Sequence, residues 1–332
     1  MNPSSPSALT VDEARALRAS GSWQELVTRS AGIAADDLLA DPELAFLVAV
    51  GYRRTGETSR ALELLARVEP ETRKRGERRL LLEVINLAGN ALFESGRMQE
   101  AEARYSELLE ASTSWDDEEG KARAANNLGV LANVGGRRDL ALTCYQRALA
   151  SYQRLGHIRG LAETHHNLGI SYRDLGFDRD ADTHFGRAME LSEGAGLQDV
   201  LALAEAERAG LRVRWRDGRL AGEMARRALD RFRRINDPTG AAQAIRILGL
   251  AALAEGDVGE ADARLNEALE IARAHEDALL HAEVQRDRGM LLRDLGDGKA
   301  AREALEDAVD HFRRIGAAAE AEAIRVMISA LP

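Results

Sequence analysis

Few residues in this chain have types and spacings that could carry out chemistry. His165 and His166 are adjacent. Neighbours on a helix point about 100° apart, so the pair does not share a metal ion as residues at i and i+4 would. His275 and His281 are six apart and also face different ways. Cys144, the single cysteine, allows no internal disulfide, and no histidine pattern accompanies it that would make it a nucleophile. Gly135-Gly136 is not followed by Gly-Lys-Ser/Thr, so it marks a turn and not a phosphate loop. Paired acids are plentiful but belong to a solvated face. No catalytic residue, metal set or cofactor is expected, and the chain is not expected to be an enzyme.

The chemistry that is left is recognition, and the elements that would position it are repeats. Alanine returns at one fixed interval, at Ala61, Ala101, Ala141, Ala181, Ala221, Ala261 and Ala301. Glycine keeps the same beat a little ahead of it, at Gly56, Gly96, Gly136, Gly176, Gly256 and Gly296, and Arg216 breaks that series. A period of this size implies a stack of like units, each too small to bury its apolar face alone.

Composition agrees. The 332 residues are 45% apolar and 4% aromatic, poor in proline and rich in Ala, Leu, Glu and Arg, which is an all-helical profile. A net charge of −10 argues against broad affinity for nucleic acid or an anionic membrane. Met1 to Thr10 lacks a basic segment followed by an apolar core, and no apolar run approaches the roughly 20 residues that span a bilayer. The expectation is a cytoplasmic protein without membrane insertion.

Within a unit, Leu161, His165, Leu168, Gly169 and Tyr172 fall at helical spacing. Gly176 punctuates the turn, and Ala181, Phe185, Ala188 and Leu191 mark a second stripe. The closing position runs Gly76, Asp116, Gly156, Gly196, Asn236, Glu276 and Gly316. Glu276 fits a left-handed closing residue poorly, so a different turn is expected there. Asp41-Pro42 and Asp237-Pro238 read as helix starts. Small residues at Gly89, Gly129, Gly169, Gly249 and Gly289 let helices cross closely, with Tyr105, Tyr145 and Phe185 filling the space beside them.

Leu168-Gly169, Tyr172, Ala181, Phe185 and Ala188, and nearly as well Leu128-Gly129, Ala141, Tyr145 and Ala148, carry a pattern that resembles the tetratricopeptide repeat family. The 40-residue unit is longer than the usual 34 and is similar to the long-helix class of the Pins/LGN polarity adaptors and of bacterial regulators. The resemblance implies an all-α fold, a right-handed superhelical solenoid of helix-turn-helix repeats. Residues 1–7 are expected to be disordered and 8–34 to form a degenerate capping helix pair around Gly21-Ser22-Trp23. Residues 42–316 form seven units, and 317–330 a C-terminal capping helix.

In that family the first helix of each unit lines a concave groove. On this register the groove carries Asn86, Asn90, Asn126, Asn133, His166, Arg173 and Asp174, with Asn127 and Asn167 beside it. Further along it carries Arg246, Leu250, Leu253, Arg286, Met290, Arg293 and Asp294. An amide both donates and accepts, so the asparagines suit a peptide backbone. The later stretch, apolar and basic, suits an acidic partner. The fifth unit departs from the pattern. Arg208 and Arg212 replace Leu and Tyr, Ala225 replaces the aromatic, Gly218 is expected to move the turn, and Leu211 and Trp215 to supply a shifted apolar face. Its arginines form either a solvated face neutralised by neighbouring acids, or a site for an acidic partner, or a flexible joint in the superhelix. The expected function is a protein-interaction scaffold for a peptide or partner helix. The alternative is a regulatory sensor whose superhelix responds to a small peptide or metabolite. The partner and the oligomeric state are not legible.

Overall fold

The computed structural model describes residues 9–331, so the disorder expected for residues 1–7 lies outside the described residues. Among the described residues there are eighteen α-helices and no strand. They are α1 Val11–Ser20, α2 Trp23–Ser30, α3 Ala35–Ala40, α4 Pro42–Arg54, α5 Thr58–Arg75, α6 Arg78–Glu94, α7 Met98–Ser114, α8 Glu118–Val134 and α9 Arg138–Leu155. Next come α10 Ile158–Asp174, α11 Asp178–Ala195, α12 Gln198–Arg214, α13 Gly218–Arg234, α14 Pro238–Ala254, α15 Val258–Ala274, α16 Ala278–Asp294, α17 Gly298–Arg314 and α18 Ala318–Ser329. The chain divides into two compact units, Met1–Leu131 and Ala132–Pro332, with the boundary inside α8.

In the N-terminal unit α1 and α2 pack against α4. Thr10 and Glu13 start α1 with reciprocal bonds: Glu13 N–H donates to Thr10 Oγ1 at 3.3 Å and Thr10 N–H to Glu13 Oε2 at 2.8 Å. Asp41 caps α4 by accepting from the N–H groups of Glu43 and Leu44, with Pro42 in the first turn. α4 is covered nearly all round, and its Leu47, Val48 and Ala49 join Leu26, Leu65 and Val68 in one core.

In the C-terminal unit the start signals keep a beat of their own. Asp217, Asp237, Asp257, Asp277 and Asp297 stand at equal intervals, two to each repeat. Each carboxylate accepts from the N–H three positions on, at 2.9–3.1 Å, and so opens one of α13 to α17. Each such cap is worth about 1 kcal/mol. Ala206, Ala209, Ala228, Phe232, Ile245, Leu265 and Val284 form the main core, and a second gathers Ala301, Leu305, Phe312 and Ile324 around α17 and α18.

Helix pairs cross where the small residues stand. A Cβ on Gly89 would come 2.5 Å from the Tyr105 ring, and one on Gly289 would come 2.6 Å from Leu305. Three expectations fail. Glu276 closes its helix in the left-handed conformation after all, at φ 53, and Arg216 does so at φ 60. The surrounding hydrogen bonds impose it: Asp277 N–H reaches Ala272 O at 2.9 Å, as Phe177 N–H reaches Tyr172 O around Gly176. Nor does Gly218 move the turn, because α12 and α13 start and end in phase with the other pairs. Gly218 instead lets α13 approach α14, since a Cβ there would lie 2.7 Å from the Ala251 carbonyl oxygen. Leu211 is fully buried but Trp215 is exposed, so it supplies no core face.

Candidate functional site

In the N-terminal unit α6 presents Asn86 and Asn90 one turn apart, and α8 presents Asn126 and Asn127. The amides bond first to one another. Asn127 Nδ2 donates to Asn86 Oδ1 at 2.9 Å and to Asn90 Oδ1 at 3.3 Å, and Asn126 Nδ2 to Asn127 Oδ1 at 3.4 Å. Half-buried amides need partners, and here they find them in the next repeat. The Tyr105 hydroxyl adds a bond to Asn90 Oδ1 at 2.8 Å. Burial, then the nearby Glu94 carboxylate, pushes that phenol above its ordinary range. The residue whose ring fills the space over Gly89 therefore also ties down the amide cluster.

The C-terminal unit holds a concave cavity of about 500 Å³. Its walls come from the last residues of α8 and from the first helices of the following pairs, α10, α12, α14 and α16, with Phe312, Ile315 and Glu320 closing it from α17 onward. Ile170, Val213, Ile247, Leu250 and Leu279 give an apolar lining. Between them run charges that are already paired. Arg173 bridges Glu207 and, at 2.9 Å, Asp174. Gln243 donates to Glu207 Oε1 at 3.2 Å. Arg246 reaches Asp287 at 2.6 Å and Glu283 at 3.2 Å, and Arg286 reaches Asp287 at 2.9 Å.

Burial alone would raise the acids, but Arg173 holds Glu207 below the usual carboxylate range, and Arg286 with Arg246 does the same for Asp287. Burial likewise opposes the charge on Arg246, and Glu283 and Asp287 outweigh it and raise its pKa. His166 is pushed down by burial, with Arg173 adding to that and Glu207 opposing it. The Nε atom of Arg246 and the Nε2 atom of His166 are buried without a hydrogen-bond partner.

Of the groove residues expected from sequence, Asn133, Arg173, Asp174, Arg246, Leu250 and Arg286 line this cavity. Asn133 Oδ1 accepts from the Ser171 hydroxyl at 2.9 Å. His166, Asn167, Met290 and Arg293 lie on the same helices but not on its wall. Arg293 bonds Asp294 at 2.7 Å. Sequence reasoning misses the acids that neutralise the arginines. The signal exists, since Glu207 and Asp287 share the repeat register of Asn127 and Asn167.

The arginine-rich fifth pair follows the same rule. Arg208 and Arg212 meet Asp182 at 2.7 and 3.1 Å, Arg214 meets Asp178 at 3.1 Å, and Arg227 and Arg231 share the buried Glu205. With Arg219 paired to Glu223 at 2.7 Å, neighbouring acids thus neutralise six of these arginines.

Residues 80–154 and 122–194 match the tetratricopeptide repeat family. No curated protein sequence matches the chain at a significant level. Among solved structures, BtubC from P. vanneervenii is 24% identical over 68% of this chain and 91% of its own, with a TM-score of 0.52. A Rap protein solved with Competence and Sporulation Factor is 16% identical over 96% and 93%, with a TM-score of 0.64. The Rap conjugation gene regulator of plasmid pLS20, solved with a peptide, is 16% identical over 88% and 80%, with a TM-score of 0.67. These likenesses carry the fold. No helix among the described residues is long and apolar enough to cross a membrane. With its all-helical architecture, its consecutively packed helix pairs and the match over residues 80–194, the chain carries tetratricopeptide repeats.

Proposed function

We propose that this protein is an interaction module that holds a segment of a partner protein or peptide in the cavity of its C-terminal unit. The observation that carries the reading is the cavity itself, about 500 Å³, with apolar lining between charges held at fixed positions. Concave sites of this size, mostly apolar with a few placed polar groups, are the usual form of a binding site. Ile247 and Leu250 take apolar side chains, and Asn133, Arg173, Arg246 and Arg286 take polar ones. Because each arginine already has an acid, an occupant with charges of both signs fits better than a purely acidic one. His166, Asn167, Met290 and Arg293 flank the contact. The amide cluster of Asn86, Asn90, Asn126 and Asn127 offers a separate polar surface on the N-terminal unit.

The two Rap relatives were each solved with a bound factor or peptide, which is consistent with the reading. One observation favours regulation over passive holding. The pairs Arg173–Glu207 and Arg246–Asp287 join first helices of successive repeats, so an occupant that engages them also alters how those helices are spaced.

The test is site-directed photocrosslinking in the native cell. A benzophenone side chain at Ile247 or Leu250 should capture a discrete partner, and one at the exposed Lys299 should not. Equal capture from all three positions, or none from the cavity, would remove the reading.

A further inference from the structure

Two imidazoles far apart in sequence converge on one carboxylate. His281 lies in the first turn of α16, and Asp307 and His311 lie one turn apart on α17. His281 Nε2 is 2.8 Å from Asp307 Oδ2, and His311 Nδ1 is 3.2 Å from Asp307 Oδ1. We propose that His281, Asp307 and His311 bind one divalent transition-metal ion of the zinc class, with water filling the remaining positions.

Three features support the assignment. The donor atoms all lie within 4.8 Å of one another. Ligands bound tetrahedrally at about 2.0–2.2 Å stand roughly 3.3–3.6 Å apart around such an ion, so the two His–Asp contacts at 2.8 and 3.2 Å need widen only slightly. Two imidazole nitrogens and one carboxylate oxygen suit zinc, cobalt or nickel, and suit calcium or magnesium poorly. The carboxylate is also held from behind, because the Gln285 amide donates to Asp307 Oδ2, and Arg288 in turn donates to Gln285 Oε1 at 3.0 Å. Burial opposes the Asp307 charge, but bonds from His281 and Gln285 outweigh it and keep the carboxylate ionised. His281 is buried while Asp307 is part-exposed, so an ion reaches the cluster from the Asp307 side.

Binding requires one rearrangement. The two rings stack, with centroids 3.9 Å apart and planes 16° from parallel, so one ion cannot lie in the plane of both. His311 must tilt out of the stack. It then gives up its contact with the Asp307 carbonyl at 3.0 Å, and its contact with Arg314 at 2.7 Å. Arg314 is exposed and can swing away.

The experiment titrates Zn²⁺ into the full chain by calorimetry, after chelator treatment and desalting, with Ca²⁺ as the contrasting ion. The wild type should take up one Zn²⁺ and no Ca²⁺. Asp307→Asn and His311→Ala should weaken binding at least tenfold, and Arg314→Ala should bind as tightly or tighter. His275→Ala, outside the cluster, should match the wild type. Co²⁺ gives a second readout, a visible ligand-field band present in the wild type and absent in His311→Ala. Circular dichroism confirms that each variant is folded. Wild-type affinity in both ligand variants, or no stoichiometric binding by the wild type, would overturn the proposal.

Discussion

The ring of Phe185 occupies the space that a side chain on Gly169 would need: a Cβ there would lie 2.5 Å from two ring carbons. Phe185 is fully buried on α11, and Gly169 sits opposite it on α10. Gly169→Leu should therefore overpack this crossing and cost about 1–3 kcal/mol. Urea denaturation with a helical signal checks it, and an unchanged midpoint would contradict the close contact.

Arg246→Met should cost about 3 kcal/mol near neutral pH, because it strips a partner from a buried carboxylate. Asp287 keeps Arg286, which holds the effect toward the low end. The sign with pH follows from Asp287. Its folded pKa lies below the ordinary value of 3.8, so its pairing stabilises the fold above that pH and is lost as pH falls. In the variant Asp287 protonates more readily, and a neutral carboxyl needs no cation. The gap between variant and wild type should narrow as the medium is made acidic enough to protonate that carboxyl. A gap that stays constant with pH would show that Arg246 acts through packing alone.

His165 and His184 set a second pH dependence. Their Nδ1 atoms lie 2.9 Å apart, and Tyr172 stacks on His184 at 5.1 Å. Burial, then His184 and Arg187, lowers the His165 pKa from 6.5 to about 4. Between those values the unfolded chain binds a proton that the folded chain refuses, so stability is complete above pH 6.5 and falls as the pH drops toward 4. The loss should be on the order of 1–2 kcal/mol, less than the full shift because the pair is only half-buried. Thermal melts across that window should be flatter for His165→Gln. Parallel slopes for the two proteins would place the effect elsewhere.

Glu276→Gly should stabilise the protein. A left-handed residue with a side chain costs about 1–2 kcal/mol, and glycine returns part of that as added freedom of the unfolded chain. A net gain of about 0.5–1 kcal/mol is expected from chemical denaturation. A loss would mean that the Glu276 side chain contributes contacts worth more than the strain.

The helices are legible because their signals are local and repeat. Asp41-Pro42, the glycine beat and the alanine beat each act within one turn. Glu276 and Arg216 mislead for the opposite reason: their conformation is imposed by hydrogen bonds across the turn and not by their own preference. The candidate site is legible by position but not by partner. The separation in sequence is 34 for Arg173 and Glu207, and 41 both for Arg246 with Asp287 and for Asn86 with Asn127. Only stacking brings them together, and periodicity says which residues share a face without saying which will bond. Comparing His281 with His275, its nearest histidine in sequence, likewise misses Asp307 and His311, which stand on the following helix.

The evenly spaced aspartates that open α13 to α17 have a consequence for how such a chain changes length. Asn236 and Glu276 both close a helix at φ 53, and Asp237 and Asp277 each open the next one. Excising residues 237–276 would join Asn236 directly to Asp277. The new junction would hold the same kind of closing residue followed by the same kind of opening residue. Each block of this stretch carries its own stop and start, so genetic duplication or loss of such a block leaves no mismatched seam. The reach of the protein can thus vary in steps of one whole block without a new linker having to evolve.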